Sequence, residues 1–244
     1  MKRLGVLLLV LGAVASGTAS AAGHVTLTVY AASSLTDVLP KVDSTERYSF
    51  GGSNTLAAQI AQGAPADIFA SANLTLPEQL HAKGLVMRPY VLTHNTLVLI
   101  VPRANPARIH SITDLRKPDL KIVIAGPTVP VGAYTLQVLK NMRMTDVLDN
   151  VVSREADVRD VLAKVALGEA DAGFVYATDA RTVPKKVTVL RLPVWARPNV
   201  AYGIAVVTAS KHRNAATAYL RTLLGKRAQT IFQSYGFLPR RTAG

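Results

Sequence analysis

The chain has 244 residues, no cysteine and a formal net charge of +13, from 28 Lys and Arg against 15 Asp and Glu. The lack of cysteine excludes disulfides, thiolate metal sites, a cysteine nucleophile and a lipid-modified N-terminal cysteine. The length suits one large domain or two modest lobes.

Residues 1–22 have the pattern of a secretory signal peptide. Lys2 and Arg3 precede an apolar run over residues 4–14, and a stretch of small residues follows. The apolar run is too short to span a bilayer comfortably. We expect an exported protein, periplasmic or in the cell envelope, that is soluble after removal of the signal peptide. An uncleaved segment that acts as an anchor is the alternative.

After this segment the chain alternates between short strand patterns and helical periodicity. Residues 96–102 and 121–127 are continuous apolar runs, which are typical of parallel strands buried on both faces. Several helical patterns end at a glycine. In chain order, the predicted elements are strand 25–31, helix 56–63, strand 66–72, helix 74–84, strands 96–102 and 121–127, helix 132–142, strand 149–153, helix 158–168, strands 171–177, 187–194 and 201–207, and helical segments over 215–235.

The repeated strand-then-helix units predict an α/β protein with mainly parallel sheets. Two long apolar strands, at residues 95–102 and 202–210, lie about a hundred residues apart, with a complete set of strands and helices between them. This spacing predicts one lobe inserted into another. The first lobe would comprise residues 23–94 plus 204–244, and the second lobe residues 95–203.

The basic excess lies in the last quarter of the chain, where residues 181–244 hold twelve Lys or Arg and no Asp or Glu. Such a patch attracts nucleic acid, anionic lipid or a small anion. The basic residues are not interleaved with aromatic residues, as binding of a single nucleic-acid strand requires. We expect no nucleic-acid partner and interpret the patch as a solvated basic face.

Hydrogen-bond donors recur at the turns between predicted strands and helices, where parallel sheets bind their ligands. Ser34 and Ser53 offer hydroxyls, Val131 and Val158 offer backbone amides at helix starts, and Tyr176 offers a phenol at a strand end. Taken singly, each serine is also explained as a helix N-cap and the tyrosine as a packed aromatic residue. The recurrence of donors in both predicted lobes favours a binding site.

A set of neutral donors is suited to a fully ionised tetrahedral oxyanion, which accepts hydrogen bonds and cannot donate them. A carboxylate facing such an anion would be costly. We therefore expect the side chain of Asp157 to point away from the site and the amide of Val158 to point into it.

Several motifs together resemble the periplasmic molybdate-binding proteins of ABC importers, in the same order and over nearly the whole chain after residue 22. The resemblance implies a two-lobed periplasmic-binding-protein fold, each lobe a mainly parallel sheet flanked by helices, with the ligand cleft between the lobes. The motifs are "AASSLTD", "YSFGGSNTLAAQIAQGAPADIFASA", "PVGAY" and "DVRDVLAKVALGEADAGFVYATDA".

Carried over position by position, the resemblance implies that Ser34 and Ser53 are hydroxyl ligands, Val131 and Val158 backbone-amide donors, and Tyr176 a phenol donor. The implied ligand is molybdate or tungstate, with no cofactor. No side chain would coordinate the metal directly, because the molybdenum is held as the oxyanion. The implied partner is the membrane permease of an ABC importer, and the protein is expected to be a monomer.

The chain departs from the family pattern after Asp37, where only ten residues separate "LTD" from "YSFGGS". The family usually has a longer amphipathic helix and loop at this point, and Pro40 is expected to cut the helix short. The ligand turns on either side are kept. The departure therefore concerns the outer edge of the first lobe.

Other functions remain open from the sequence. A receptor for sulfate or phosphate is the nearest alternative, and an acid turned into the site would favour phosphate. A serine hydrolase that uses Ser34 or Ser53 is a second, but "GGSNT" lacks the Gly-x-Ser-x-Gly pattern. The five histidines lie in no recognisable partner motif and lack the spacing of metal ligands. An exported structural domain would leave the donors at the turns unexplained.

Overall fold

Ten β-strands form two five-stranded sheets in the computed structural model, which describes residues 25–240. The predicted signal peptide over residues 1–22 lies outside the described residues. Within the described range, no helix is long and apolar enough to cross a membrane. The α/β class expected from the sequence is confirmed.

The first sheet takes strands from both ends of the described chain, in the order β2-β1-β3-β10-β4, and the second takes the five strands between them, in the order β7-β6-β8-β5-β9. The strands are β1 (Thr28–Ala32), β2 (Arg47–Gly51), β3 (Ile68–Ser71), β4 (Tyr90–Asn95), β5 (Leu97–Pro102), β6 (Ile122–Ala125), β7 (Val151–Glu155), β8 (Ala172–Tyr176), β9 (Val187–Arg191) and β10 (Val200–Val206).

Each sheet has four strands that run in one direction and one strand that runs against them. β1 is parallel to β2 and β3, whereas β10 is antiparallel to β3 and β4. Likewise, β6 is parallel to β7 and β8, whereas β5 is antiparallel to β8 and β9. The sheets are therefore mixed: most strands share a direction, as expected, but only two of the four neighbouring pairs in each sheet are parallel.

The chain passes between the sheets twice. Thr96 alone separates β4 in the first sheet from β5 in the second, and the return runs from Arg191 to Val200. The reversed strand of each sheet is thus the strand by which the chain enters it. Since β10 begins at Val200, ahead of the boundary expected at residue 204, its first residues would lie in the predicted second lobe. The division into lobes stays a prediction.

Helices α2, α3 and α7 pack on the first sheet, and α4 and α5 pack on the second. Short 3-10 helices occur at Ser33–Leu35, Ile112–Arg116, Thr145–Asn150 and Val194–Ala196. The α-helices are α1 (Leu39–Val42), α2 (Ser53–Ala61), α3 (Thr75–Ala82), α4 (Pro130–Asn141), α5 (Val158–Ala166), α6 (Ala177–Ala180), α7 (Arg213–Leu224) and α8 (Lys226–Ser234).

The segment after β1 is short, as the sequence predicts. The 3-10 turn over residues 33–35 is followed by α1, which has only four residues. Pro40 lies in the first turn of α1, where its missing N–H loses no helical hydrogen bond. The proline therefore starts this helix, and does not interrupt a longer one.

The central strands lie in the apolar core and fix the positions of the turns at their ends. All six residues of β5 and all five of β8 are buried, as are the four of β6. Fully burying one of their Val, Leu, Ile or Phe side chains contributes roughly 1.5–3 kcal/mol. The strand ends that carry the predicted donors are therefore held by a rigid support.

Candidate functional site

The ends of β1, β2 and β8 and the first turns of α2, α4 and α5 meet around a small cavity between the two sheets. Its volume is about 10 Å³, far below the roughly 300–1,000 Å³ of pockets for organic ligands. A cavity of this size holds about one water molecule as it stands, so it excludes organic ligands. Its wall is formed by Ala32, Ser33, Ser34, Gly51, Gly52, Ser53, Ala72, Val129, Pro130, Val131, Asp157, Val158 and Tyr176.

All five residues predicted to bind a ligand lie on this wall. None is more than 3% exposed, so the surrounding protein fixes their positions. The structure thus brings together residues from five separate turns. Their role as ligands stays a prediction. They are Ser34, Ser53, Val131, Val158 and Tyr176.

Ser53 is the first residue of α2, and the N-cap is Gly52. The Ser53 hydroxyl does not cap its own helix; its Oγ accepts a hydrogen bond from the backbone N–H of Ala72 at 3.1 Å. With this lone pair in use, the hydroxyl keeps its proton for another acceptor. The alternative in which Ser53 is an ordinary N-cap is wrong.

Ser34 lies in the 3-10 turn after β1 and makes no capping hydrogen bond either. Its Oγ is 2.8 Å from the Oη of Tyr202, a residue of β10. The N-cap alternative is therefore wrong here too. Neighbouring Ser33 also reaches the wall, and its side chain accepts no capping bond. Its carbonyl accepts from the hydroxyl of Thr36 at 2.7 Å.

Val131 and Val158 bring the first turns of α4 and α5 to the cavity. Val131 follows Pro130 at the start of α4, and Val158 is the first residue of α5. The N–H groups in the first turn of a helix have no acceptor within the helix, and the helix dipole makes this end partially positive. Two helices therefore direct anion-binding ends at the same cavity.

Asp157 is the acidic residue closest in sequence to these donors. Its Oδ1 accepts from the backbone N–H groups of Arg159 at 2.6 Å and Asp160 at 3.3 Å, so the carboxylate caps its own helix. The residue belongs to the cavity wall, but its charge is directed to α5. The cap does not use the amide of Val158. That this amide points into the site stays a prediction.

The hydroxyl of Tyr176 is buried without a hydrogen-bond partner among the described residues. The side chain stands at the end of β8, 1% exposed, with its ring edge-on to Tyr134 and Tyr202 at centroid distances of 6.5 and 5.7 Å. Burial raises the pKa of Tyr176 well above its usual range, and the neighbouring tyrosines raise it further. Tyr176 is therefore a neutral donor that lacks an acceptor.

Charged groups lie beside the cavity and pair with each other. Arg159 donates to Asp179 at 2.7 Å and to Asp37 at 2.5 Å. Asp179 is fully buried, and burial raises its pKa to about 6 although Arg159 opposes the shift. No Lys, Arg or His is among the described residues that form the wall. The donors that face the cavity are consequently neutral.

The sequence reasoning missed two residues behind the wall. Tyr202 contacts Ser34, and the side-chain amide of Asn95 donates to Tyr202 Oη at 3.3 Å. The only local signal was a polar aromatic side chain in an otherwise apolar strand. Among residues 25–240, no group of three or more His, Cys, Asp or Glu side chains could hold a metal ion.

Known proteins share both the sequence and the fold. The family model for bacterial extracellular solute-binding proteins matches residues 27–238. The molybdate-binding protein of Mycobacterium tuberculosis is 34% identical over 248 aligned positions, which cover 94% of this chain and 94% of that protein. The sequence similarity thus extends over nearly the whole chain.

Two solved structures have the same architecture. The periplasmic molybdate-binding protein of Azotobacter vinelandii aligns with a TM-score of 0.78 at 23% identity, covering 88% of this chain and 100% of that one. The sulfate-binding protein SubI of M. tuberculosis aligns with a TM-score of 0.77 at 20% identity, covering 88% and 87%. At these identities the likeness shows the fold, which is that of periplasmic binding proteins. The resemblance expected from the motifs is confirmed, and the chain belongs to the family of bacterial extracellular solute-binding proteins.

Proposed function

We propose that this protein binds molybdate or tungstate in the cavity between its sheets and delivers it to the permease of an ABC importer. The observation that carries the proposal is the hydroxyl of Tyr176, buried at the wall without a partner. A buried donor left unpaired costs roughly 1–3 kcal/mol. An oxyanion in the cavity would supply the missing acceptor.

The other donors on the wall support the same ligand. The hydroxyls of Ser34 and Ser53 lie on the wall, and the amides of Val131 and Val158 stand at positive helix ends. A hydrogen bond to a charged group contributes roughly 1.5–3 kcal/mol. Several such bonds in a cavity shielded from water can hold a dianion without any cationic side chain.

The side chains and helix ends on the wall are mainly hydrogen-bond donors, which favours a fully ionised anion over a protonated one. Hydrogen phosphate needs an acceptor for its own proton, and Asp157, the one carboxylate on the described wall, already uses its Oδ1 for two amides of α5. Sulfate has the same charge and shape as molybdate, so hydrogen bonding alone does not separate the two. The fit of the anion to the cavity decides between them.

The contacts of the two serines argue against a hydrolase. Ser34 Oγ is paired with the hydroxyl of Tyr202, and Ser53 Oγ with the backbone N–H of Ala72. Neither partner is a general base that could activate a serine nucleophile.

We infer that the protein is a binding subunit without enzymatic activity or cofactor. We further infer that it is exported to the periplasm or cell envelope, and works as a monomer.

The proposal is tested by thermal melting and calorimetric titration with molybdate, tungstate, sulfate and phosphate at equal concentrations. Molybdate and tungstate should raise the melting temperature, because a ligand at 100 times its Kd stabilises the native state by about 2.7 kcal/mol. No shift with either anion would refute the proposal. A larger shift with sulfate than with molybdate would instead assign the site to sulfate.

A further inference from the structure

A chain of buried hydrogen bonds leads from the cavity wall into the protein behind Ser34. Ser34 Oγ lies 2.8 Å from Tyr202 Oη, and Asn95 Nδ2 donates to the same Oη at 3.3 Å. Tyr202 is 0% exposed and Asn95 4% exposed, so solvent is not an alternative partner for either. Of the three residues, only Ser34 forms part of the wall.

The side-chain amide of Asn95 sets the direction of this chain. Its Oδ1 accepts from the backbone N–H of Thr96 at 2.8 Å, which identifies the other amide atom as the nitrogen. That nitrogen donates to Thr178 Oγ1 at 2.8 Å and to Tyr202 Oη. Because Tyr202 Oη already accepts from Asn95, its own proton needs an acceptor. Among the described residues, Ser34 Oγ is the acceptor within reach.

A Ser34 oxygen that accepts from Tyr202 keeps its own proton for the cavity. We propose that Tyr202 and Asn95 are positioning residues that hold the Ser34 hydroxyl as a donor toward the bound oxyanion. The inference rests on the proposed function, since it requires an anion in the cavity. Its physical content is preorganisation: a hydroxyl that is oriented before binding loses no rotational freedom when the anion arrives.

The hydroxyl of Tyr202 can be removed without removing its ring. The ring packs edge-on against Tyr176 and Phe237 at centroid distances of 5.7 and 5.6 Å, and Phe at position 202 keeps these contacts. Tyr202→Phe should therefore weaken molybdate binding about 3- to 10-fold, which corresponds to one neutral hydrogen bond, with an unchanged circular dichroism spectrum. Kd is measured by calorimetric titration with molybdate.

A double-mutant cycle separates positioning through Ser34 from a general structural role. In a Ser34→Ala background, Tyr202→Phe should change Kd less than twofold, because the hydroxyl that it orients is gone. In a Tyr176→Phe background, Tyr202→Phe should keep its full effect. The matched control is Tyr219→Phe, which removes another buried phenol, 2.9 Å from Tyr48 Oη, and should leave Kd unchanged.

Asn95→Asp provides an independent variant. It replaces the donor to Tyr202 with an acceptor, so that Tyr202 can turn its proton away from Ser34 and the chain can reverse. Binding should weaken more than with Tyr202→Phe. The part of the lost affinity that is transmitted through the hydrogen bonds from Asn95 to Tyr202 and Ser34 should disappear when Tyr202→Phe is added. Direct repulsion of the anion by the new charge would remain.

The outcomes for the inference and for the proposed function are distinct. If the unmodified protein binds neither molybdate nor tungstate, the proposed function fails and the inference with it. If the unmodified protein binds molybdate, the inference alone is overturned by either of two results. One is a Kd for Tyr202→Phe within twofold of the unmodified protein, and the other is a loss that is the same size with and without the Ser34 hydroxyl.

Discussion

At the scale of single residues, Tyr176 and Ser53 show two ways in which a buried hydroxyl is left ready to donate. Ser53 Oγ accepts a hydrogen bond from the N–H of Ala72 and still has its own proton to donate. Tyr176 has no partner among the described residues, and its ring is fixed by aromatic neighbours. In both cases the protein meets the cost of orienting the donor during folding, before any ligand is present.

Tyr176→Phe should affect binding and stability in opposite directions. Losing a donor to a charged ligand should weaken molybdate binding roughly 10- to 100-fold. The ligand-free melting temperature should stay the same or rise, because a buried unpaired hydroxyl is removed. Calorimetry and thermal melting of the same samples test both parts. An unchanged Kd would remove Tyr176 from the site, and a lower ligand-free melting temperature would show that its hydroxyl is structural.

The candidate site was predictable from sequence where its chemistry is local. Ser34, Ser53 and Tyr176 each lie where a strand gives way to a turn, and this position can be read from short patterns. The partner of Ser34 could not be read in this way. Tyr202 is 168 residues away in the chain, and the contact exists only because β10 returns to the first sheet.

At the scale of secondary structure elements, two glycines mark close approaches of different kinds. Gly52 caps α2 with an extended backbone that any residue can adopt, but a Cβ there would clash with the carbonyl oxygen of Ala156, which follows β7 of the second sheet. Gly132 lies in the first turn of α4, and a Cβ there would clash with the carbonyl oxygen of Gly126. The first contact joins the two sheets, whereas the second lies within one of them.

Gly52→Ala and Gly132→Ala should therefore differ in their effects on molybdate binding and on ligand-free stability. Gly52→Ala should weaken molybdate binding about tenfold or more, because the clash with Ala156 pushes the two sheets apart beside the cavity and about 1.4 kcal/mol is a factor of ten. It should lower the ligand-free melting temperature less than Gly132→Ala does. Gly132→Ala should lower that temperature, by the equivalent of roughly 1–3 kcal/mol of overpacking. Equal losses of ligand-free stability in the two variants would contradict this distinction.

Sequence patterns predicted the strands with continuous apolar runs better than those with polar residues. The apolar runs of β5, β6 and β8 were recognised because every residue of these strands is buried. β2 and β4 were missed. None of the residues of β2 is fully buried, and the buried end of β4 is the polar run over residues 93–95, so neither strand has an apolar pattern. The reversed direction of β5 and β10 was missed because antiparallel pairing depends on where the chain re-enters each sheet, and periodicity carries no information about that.

At the scale of the whole molecule, Arg159 joins parts of the chain that belong to different sheets. It contacts Asp37, which follows β1, and Asp179 in α6, which follows β8. Asp179 has one carboxylate oxygen paired with Arg159 and one, Oδ2, without a partner among the described residues. Burial disfavours the ionised form of this carboxylate, and its pKa is therefore raised to about 6.

Asp179→Asn should change how stability depends on pH. The native pKa of about 6 lies above the ordinary value of 3.8, so the native state binds more protons and the contribution of Asp179 is lost as the pH rises through 6. Asparagine does not ionise. The melting temperature of the variant minus that of the unmodified protein should therefore rise between about pH 4 and pH 7. Ligand-free melting curves test this, and a difference that stays constant or falls would refute it.

The paired passages between the sheets determine how the molecule can deform. Val200 at the start of β10 lies opposite Asn95 at the end of β4, and Arg191 at the end of β9 lies opposite Val98 in β5. The two connections therefore run side by side. Two adjacent connecting segments form a hinge that lets one sheet bend against the other about a single axis. They resist twisting and sliding of the sheets. Under the proposed function, an anion bound between the sheets would therefore fix the bend between them, which is the movement that this connection allows.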